Sequence, residues 1–146
     1  MITIRSASIE DLEQIVPLFD AYRVFYEQTS DIETARKFLT TRLENNQSVI
    51  FLAEENGKAV GFTQLYPMYS SVSMEKMYVL NDLFVDPSER GKGIGEKLLL
   101  QAQAYAHENN LKGLTLETAS DNPAQRLYER LGWKRDASYY HYFWKS

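Results

Sequence analysis

The sequence predicts an α/β or α+β domain in which about four helices flank a mixed central β-sheet. Along its 146 residues, short apolar runs of strand length alternate with longer stretches that carry apolar residues at helical spacing. Read in chain order, these patterns predict the element order β-α-α-β-β-β-α-β-α-β. No repeat, low-complexity tract or Pro/Gly-rich linker interrupts them, so we expect residues 1–146 to form a single domain.

The first predicted elements are one strand and two helices. Residues 2–7 read as a short strand, and Ser8 is placed to cap the helix that follows. Pro17 lies inside the apolar stripe of that helix and predicts a kink. A second helix is predicted over residues 31–45, because a Ser and a Glu at its start have the spacing of a capping box.

Three strands are predicted next. Residues 49–53 form a continuous apolar run, an Asn-Gly pair gives a strong turn signal, and residues 59–66 return as the second strand of a hairpin. Residues 67–73 begin with a proline and are predicted to form a loop. Residues 77–85 are apolar enough for a central strand, which an Asp-Pro pair ends.

The remaining elements alternate between helix and strand. An apolar stripe predicts a long helix over residues 93–110, and residues 114–116 read as a short strand. Residues 122–131 are predicted to form the last helix, and the aromatic residues 139–144 the last strand.

Composition excludes several classes of protein. The net charge is -4 and no stretch is rich in Lys and Arg, so we expect no nucleic-acid partner. The chain has no cysteine and only two histidines, which rules out a catalytic thiolate and leaves no basis for a metal site. No apolar run reaches the length of a membrane span and no signal peptide is recognisable, so we expect a cytoplasmic protein with no membrane partner.

The most informative segment is residues 90–95, Arg-Gly-Lys-Gly-Ile-Gly, between a buried strand and a long helix. Glycines let the backbone approach a ligand closely, and the free amides at a helix N-terminus attract an anion, so a pyrophosphate fits this segment. A P-loop string is absent, and a dinucleotide fingerprint would need glycine where Glu96 stands. Glycines that merely turn the chain into a helix are the simpler alternative.

Two motifs resemble the GNAT superfamily of N-acetyltransferases. Residues 90–95 resemble its R/Q-x-x-G-x-G/A signature, and residues 83–87 resemble its fourth strand. Residues 122–133 are similar to its second motif, N-x-x-A-x-x-L-Y-x-x-x-G-F, although Ala124 comes one position early. The resemblance covers at least residues 79–133. It implies an enzyme that uses acetyl-CoA as co-substrate and acetylates a primary amine, with a small-molecule amine as the favoured acceptor.

The resemblance also implies which residues contact coenzyme A. They are Leu83, Phe84, Val85, Arg90, Gly91, Lys92, Gly93, Ile94, Gly95, Glu96, Asn122 and Tyr128. A backbone amide of Phe84 or Val85 would bind the thioester carbonyl, as an oxyanion hole does. The contact to the 3′-phosphate stays open among Arg130, Lys92 and Lys97. For Asn122, capping of the last helix is an equally simple reason for its presence.

Tyr128 and Asp82 are the two candidate catalytic residues. In the family the matching tyrosine protonates the departing thiolate, whereas the simpler alternative is a core tyrosine. Strict alternation places Asp82 on the same face of its strand as Leu80 and Phe84, where a carboxylate needs a partner. Burial would raise its pKa, which suits a general base for the amine, and a carboxylate paired for structural reasons is the alternative.

The acceptor site is predicted to contain Tyr22, Phe25, Tyr26 and Tyr66 together with Asp82, since aromatic faces and a carboxylate suit an organic cation. Phe25 and Tyr26 could instead complete the apolar stripe of their helix. Residues 80–85 and the aromatic C-terminus resemble a branch that acetylates polyamines, histones or D-amino acids and often dimerises, so we expect a homodimer. An enzyme that acetylates proteins or peptides and a non-catalytic coenzyme A-binding module are the alternatives.

Overall fold

The computed structural model describes all 146 residues of the chain. Five strands and four α-helices follow one another as β1 (Ile2–Ser6), α1 (Leu12–Phe25), α2 (Ile32–Glu44), β2 (Val49–Glu55), β3 (Lys58–Ser70), β4 (Glu75–Val85), α3 (Ile94–Glu108), β5 (Leu114–Thr115) and α4 (Gln125–Arg130). Single 3₁₀ turns precede α1 and follow β4. The predicted element order is confirmed up to the last helix.

The five strands form one mixed sheet in the order β1-β2-β3-β4-β5. The first four pair antiparallel, whereas β4 and β5 are parallel. The parallel pairing joins only Tyr78 to Leu114 and Val79 to Thr115. Beyond Val79, β4 therefore has no strand beside it on the β5 side, and the sheet opens there.

Two apolar layers hold the helices against the sheet. On one face, α1 and α2 bury a cluster that includes Ile15, Leu39 and Phe62. On the other face, α3 buries a second cluster that includes Leu98 and Leu99. All five of these side chains are fully buried, so the sheet is the middle layer of three.

A β-bulge interrupts the pairing of β3 with β4. Gln64 pairs with Asp82 and Leu65 pairs with Leu80, so Asn81 has no partner across the ladder. An extra residue reverses which face the following side chains point to. Leu80 consequently joins the cluster under α3 and Phe84 the cluster under α1, so the prediction that they share one face was wrong.

The predicted loop over residues 67–73 is mostly strand, because β3 continues to Ser70 and β4 begins at Glu75. The pairing of β2 with β3 reaches only to Leu65, so Pro67 lies where β3 is an edge strand. A proline lacks the amide that a second ladder would need, and an edge position tolerates that loss.

The strand predicted over residues 139–144 does not form. Its aromatic side chains are between 80% and 89% exposed, and no strand of this chain pairs with the segment. Alternating aromatic residues favour a strand, but a strand forms only beside a partner.

Asp11 joins the start of α1 to β1. Its two carboxylate oxygens accept hydrogen bonds from the Arg5 guanidinium at 2.7 and 3.0 Å, and one of them also accepts from the Ser8 amide at 2.8 Å. The hydrogen bond from Arg5 is the main cause that lowers the pKa of Asp11 in the folded protein.

We expect Asp11→Asn to lower the free energy of unfolding by about 1–2 kcal/mol at pH 7. A lowered pKa stabilises the fold above the ordinary aspartate pKa of about 3.9, and this stabilisation is lost as the pH falls through the folded-state pKa. Urea unfolding of both proteins should therefore show a gap at pH 7 that closes below about pH 4. A gap that is constant with pH would contradict this account.

Candidate active site

A cavity of about 550 Å³ opens where β4 and β5 separate. Its wall comes from the end of α1, the second half of β4, the turn before α3, the segment after β5, and α4. The residues predicted from the sequence that line it are Tyr22, Phe25, Tyr26, Leu83, Phe84, Val85, Arg90, Gly91, Gly93, Ile94, Gly95, Glu96, Asn122 and Tyr128. Lys92, Tyr66 and Asp82 do not line it.

One end of the cavity has features that suit an anion, and we call it the anion-binding end. Gly91 and Gly93 have φ angles of 85° and 75°, in the left-handed region that side chains disfavour. This turn leads directly into α3, whose first residues, Ile94 and Gly95, line the cavity, and the first amides of a helix have no partner within it. The Arg90 guanidinium lies 5.6 Å from the ring centres of both Phe25 and Phe84 and has no carboxylate partner. Its Nε donates to the Val85 carbonyl at 3.2 Å, and on the cavity wall it is the cation without a carboxylate partner.

Two other cations nearby, Lys92 and Arg130, are paired. The Lys92 ammonium contacts the carboxylates of Glu89 and Glu55, and the contact with Glu89 is the main cause that raises its pKa. Arg130 pairs with Glu96 at 2.8 Å, and both of these residues line the cavity. Of the three cations considered for a 3′-phosphate, Arg130 is therefore the one on the wall.

Tyr128 is half-buried on the cavity wall, and desolvation raises the pKa of its hydroxyl. Its ring also packs against Trp133, with ring centres 6.2 Å apart. Tyr128 thus packs against a neighbouring ring, as a core tyrosine does, and also lines the cavity. Asn122 accepts a hydrogen bond from the Ala124 amide at 2.9 Å, so it caps the turn that leads into α4 and also lines the cavity.

The opposite end of the cavity is aromatic. Tyr22, Phe25 and Tyr26 come from the last turns of α1, and the ring centres of Tyr22 and Tyr26 are 5.1 Å apart. Phe25 and Tyr26 are 61% and 56% exposed, so they face the cavity and do not complete the apolar core of α1. The Tyr22 hydroxyl donates to the carbonyl of Asn81, a further cavity residue, at 3.1 Å.

Asp82 lies behind this wall and is only 1% exposed. The Asn81 and Gln64 side-chain amides donate to its carboxylate at 2.7 and 2.6 Å, and desolvation raises its pKa. Tyr66 is half-buried on the same side, and desolvation raises its pKa too. Asp82 as general base, and both residues as acceptor contacts, stay predictions.

Sequence reasoning missed several cavity residues, among them the carboxylate of Glu117. Glu117 follows β5, at the open edge of the sheet, and its carboxylate is 3.2 Å from His141 Nδ1. A carboxylate just after a strand that opens onto a ligand crevice is a usable signal. A second cleft of about 1240 Å³, between β5 and the C-terminal segment, shares Glu117 and Tyr128 with the first cavity.

Residues 12–133 match the acetyltransferase (GNAT) family. The chain belongs to this family. Bacillus subtilis N-acetyltransferase YhfO is 53% identical over 140 residues, covering 95% of this chain and 94% of the relative. The GNAT assignment makes the chain an N-acetyltransferase, and acetyl-CoA is the acetyl donor of this family.

Solved structures share the GNAT fold. A crystal structure described as that of a probable acetyltransferase is 37% identical and has a TM-score of 0.92, covering 99% of this chain and 97% of that one. The aminoglycoside N-acetyltransferase AAC(6')-Iy, solved in complex with CoA, is 19% identical with a TM-score of 0.83, which shows the common fold alone. None of the helices of this chain is long and apolar enough to span a membrane.

Gly61 on β3 lets the anion-binding end approach the sheet. A Cβ at this position would lie 3.0 Å from the Phe84 carbonyl oxygen and 3.4 Å from Cγ2 of Ile94, the first residue of α3. We expect Gly61→Ala to displace these two elements and to raise the Kd for acetyl-CoA about tenfold. Isothermal titration calorimetry measures this directly. An unchanged Kd in a folded variant would contradict the account.

Proposed function

We propose that this chain transfers the acetyl group of acetyl-CoA to the primary amine of a small molecule. The observation that carries the proposal is the two-ended cavity. Glycines, helix amides and Arg90 at one end suit the pyrophosphate of coenzyme A, and the aromatic side chains of α1 at the other suit an organic cation. The gap between β4 and β5 lies between these ends, where a thioester would be placed.

The donor would be held along β4 and the turn before α3. The backbone of Leu83, Phe84 and Val85 forms the cavity wall next to the opening of the sheet, where the peptide groups of β4 on that side have no strand partner. Amide groups of a pantetheine arm could pair with them as a missing strand would. We assign the thioester carbonyl to the amide of Phe84 or Val85, which would stabilise a developing oxyanion.

The reaction proposed is direct attack. The neutral amine adds to the thioester carbon, the carbonyl electrons move onto oxygen, and the tetrahedral adduct collapses with loss of coenzyme A thiolate. The nitrogen, positively charged after the attack, releases a proton that balances the one given to the leaving sulfur, and the neutral amide forms. Tyr128 donates a proton to that sulfur. Because its pKa is raised, the hydroxyl stays protonated even at a pH above about 10, the ordinary pKa of tyrosine. The chain contains no cysteine, so no thioester on the protein's own sulfur can form.

The amine must lose a proton before it attacks. Asp82 is the base that the sequence indicates, and Glu117 is a second candidate because its carboxylate lies on the cavity wall beside Tyr128. The pH dependence of kcat/KM in Asp82→Asn and Glu117→Gln distinguishes them, since removal of the true base removes the acidic limb of the profile.

Thiol release from acetyl-CoA tests the proposed function. We expect release with one class of amine in a panel of polyamines, amino acids, aminoglycosides and short peptides, and the cysteine-free protein adds no background. Tyr128→Phe should lower kcat about a hundredfold because the leaving thiolate is no longer protonated. Tyr105→Phe, on α3 outside this cavity, is the matched control and should retain full activity.

Release with peptides alone would instead assign the enzyme to protein acetylation. Tight acetyl-CoA binding without release from any acceptor would indicate a non-catalytic binding module. Full activity of Tyr128→Phe would contradict the role of Tyr128 while leaving the acetyltransferase function in place.

We also propose that the chain forms a homodimer through its C-terminal segment. β5 is an edge strand, and the second cleft lies between it and the exposed aromatic residues 139–144. Contiguous exposed aromatic side chains mark association surfaces, and a neighbouring chain could supply the missing strand partner. Sedimentation velocity should show a dimer that deletion of residues 138–146 converts to a monomer. A wild-type monomer at micromolar concentration would contradict this proposal.

A further inference from the structure

The β-bulge at Asn81 is surrounded by a buried polar network. Asp82 and Gln64 face each other across β3 and β4, and the Gln64 Nε2 donates to Asp82 Oδ2 at 2.6 Å. The carbonyl oxygen of Gln64 accepts from the Ser48 hydroxyl at 2.7 Å. Thr63 adds a bond from its hydroxyl to the Asp82 carbonyl at 2.8 Å. Asp82 is 1% exposed, and Gln64 and Thr63 are fully buried.

This network reaches the cavity through Asn81. The Asn81 side-chain amide donates to Asp82 Oδ1 at 2.7 Å, and the Asn81 carbonyl accepts from the Tyr22 hydroxyl at 3.1 Å. Asn81 and Tyr22 both line the cavity, whereas Asp82 does not. Asn81 has no partner in the β3–β4 ladder, so backbone pairing does not fix its orientation. These two hydrogen bonds do so instead.

A buried carboxylate costs free energy, and the same desolvation raises the pKa of Asp82. Apolar residues of the same volume at Asp82 and Gln64 would fill the space without it. Both carboxylate oxygens already accept a hydrogen bond, and the group has almost no accessible surface from which to reach an amine. These contacts favour a role in which Asp82 positions its neighbours over one in which it takes a proton directly from the amine.

We propose that Asp82 is a positioning residue: it holds the bulged Asn81 and, through the Asn81 carbonyl, the Tyr22 hydroxyl, and so fixes the acceptor side of the cavity. This role rests on the proposed acetyltransferase function. It predicts that loss of the Asp82 contacts lowers kcat/KM for the amine and leaves the Kd for acetyl-CoA unchanged.

A positioning role and a base role predict opposite results for Asp82→Asn. An asparagine at this position can accept from the Asn81 amide and donate to Gln64 if the Gln64 amide turns over. Such a turn keeps the bond to Ser48, because a hydroxyl can accept as well as donate. The network therefore survives in this variant, whereas a general base does not.

The experiment compares kcat/KM for the amine, its pH profile and the Kd for acetyl-CoA across five variants. We expect Asp82→Ala, which removes the bonds to Asn81 and Gln64, to lower kcat/KM for the amine about tenfold. The conservative Asp82→Asn should restore kcat/KM to within about threefold of wild type, with an unchanged acidic limb. Asn81→Ala and Tyr22→Phe should each lower kcat/KM for the amine about tenfold and leave the Kd for acetyl-CoA unchanged. Asn109→Ala, which removes a side-chain bond at the far end of α3, is the matched control and should behave as wild type.

Asn81→Ala and Tyr22→Phe should also be non-additive, with the double variant close to the worse single one, because both break one chain of contacts. Loss of the acidic limb in Asp82→Asn would make Asp82 the base and overturn the inference. Full activity of Asn81→Ala would overturn it as well. A wild-type protein that acetylates no amine would contradict the proposed function itself, and this role with it.

Discussion

The parallel pairing of β4 with β5 stops after two residue pairs, and the cavity exists because the two strands separate there. β4 runs on for six more residues, from Leu80 to Val85, with no strand beside it. Its free peptide groups and the gap next to them become cavity wall, and α4 brings Tyr128 to the opposite side. A fully paired sheet would fill this gap with backbone and leave no room for a thioester.

Charge is arranged differently at the two ends of the cavity. Around the anion-binding turn, Lys92 and Arg130 contact carboxylates, but these pairs are exposed and such pairs contribute little to stability. Arg130, which lines the cavity, can therefore exchange its carboxylate for a phosphate at small cost. At the aromatic end, the Asp82 carboxylate is buried behind the wall and accepts a hydrogen bond from the Asn81 side chain, whose backbone carbonyl accepts one from the Tyr22 hydroxyl.

Local signals in the sequence were enough to predict the anion-binding end of the site. Gly91 and Gly93 adopt the left-handed backbone that glycine favours, and the helix expected after them begins at Ile94. The order of elements also follows from apolar periodicity, which is a local property. The cavity residues of β4 and α4 could be named because residues 83–87 and 122–133 each resemble a segment of the GNAT family.

Features set by pairing between distant segments could not be predicted in this way. The bulge at Asn81 depends on how β3 and β4 align, and strict alternation cannot reveal an extra residue. The extension of β3 through Pro67 depends on where β2 ends. The aromatic segment 139–144 has the pattern of a strand but finds no partner within one chain.

The central claim is that the gap between β4 and β5 holds the thioester of the donor. A crystal structure of the protein with coenzyme A tests it most directly. We predict that the pyrophosphate lies against the turn at Gly91 and Gly93, and that the sulfur lies in the gap within hydrogen-bond reach of the Tyr128 hydroxyl. Coenzyme A bound in the second cleft, or with its sulfur outside the gap and remote from Tyr128, would contradict this account.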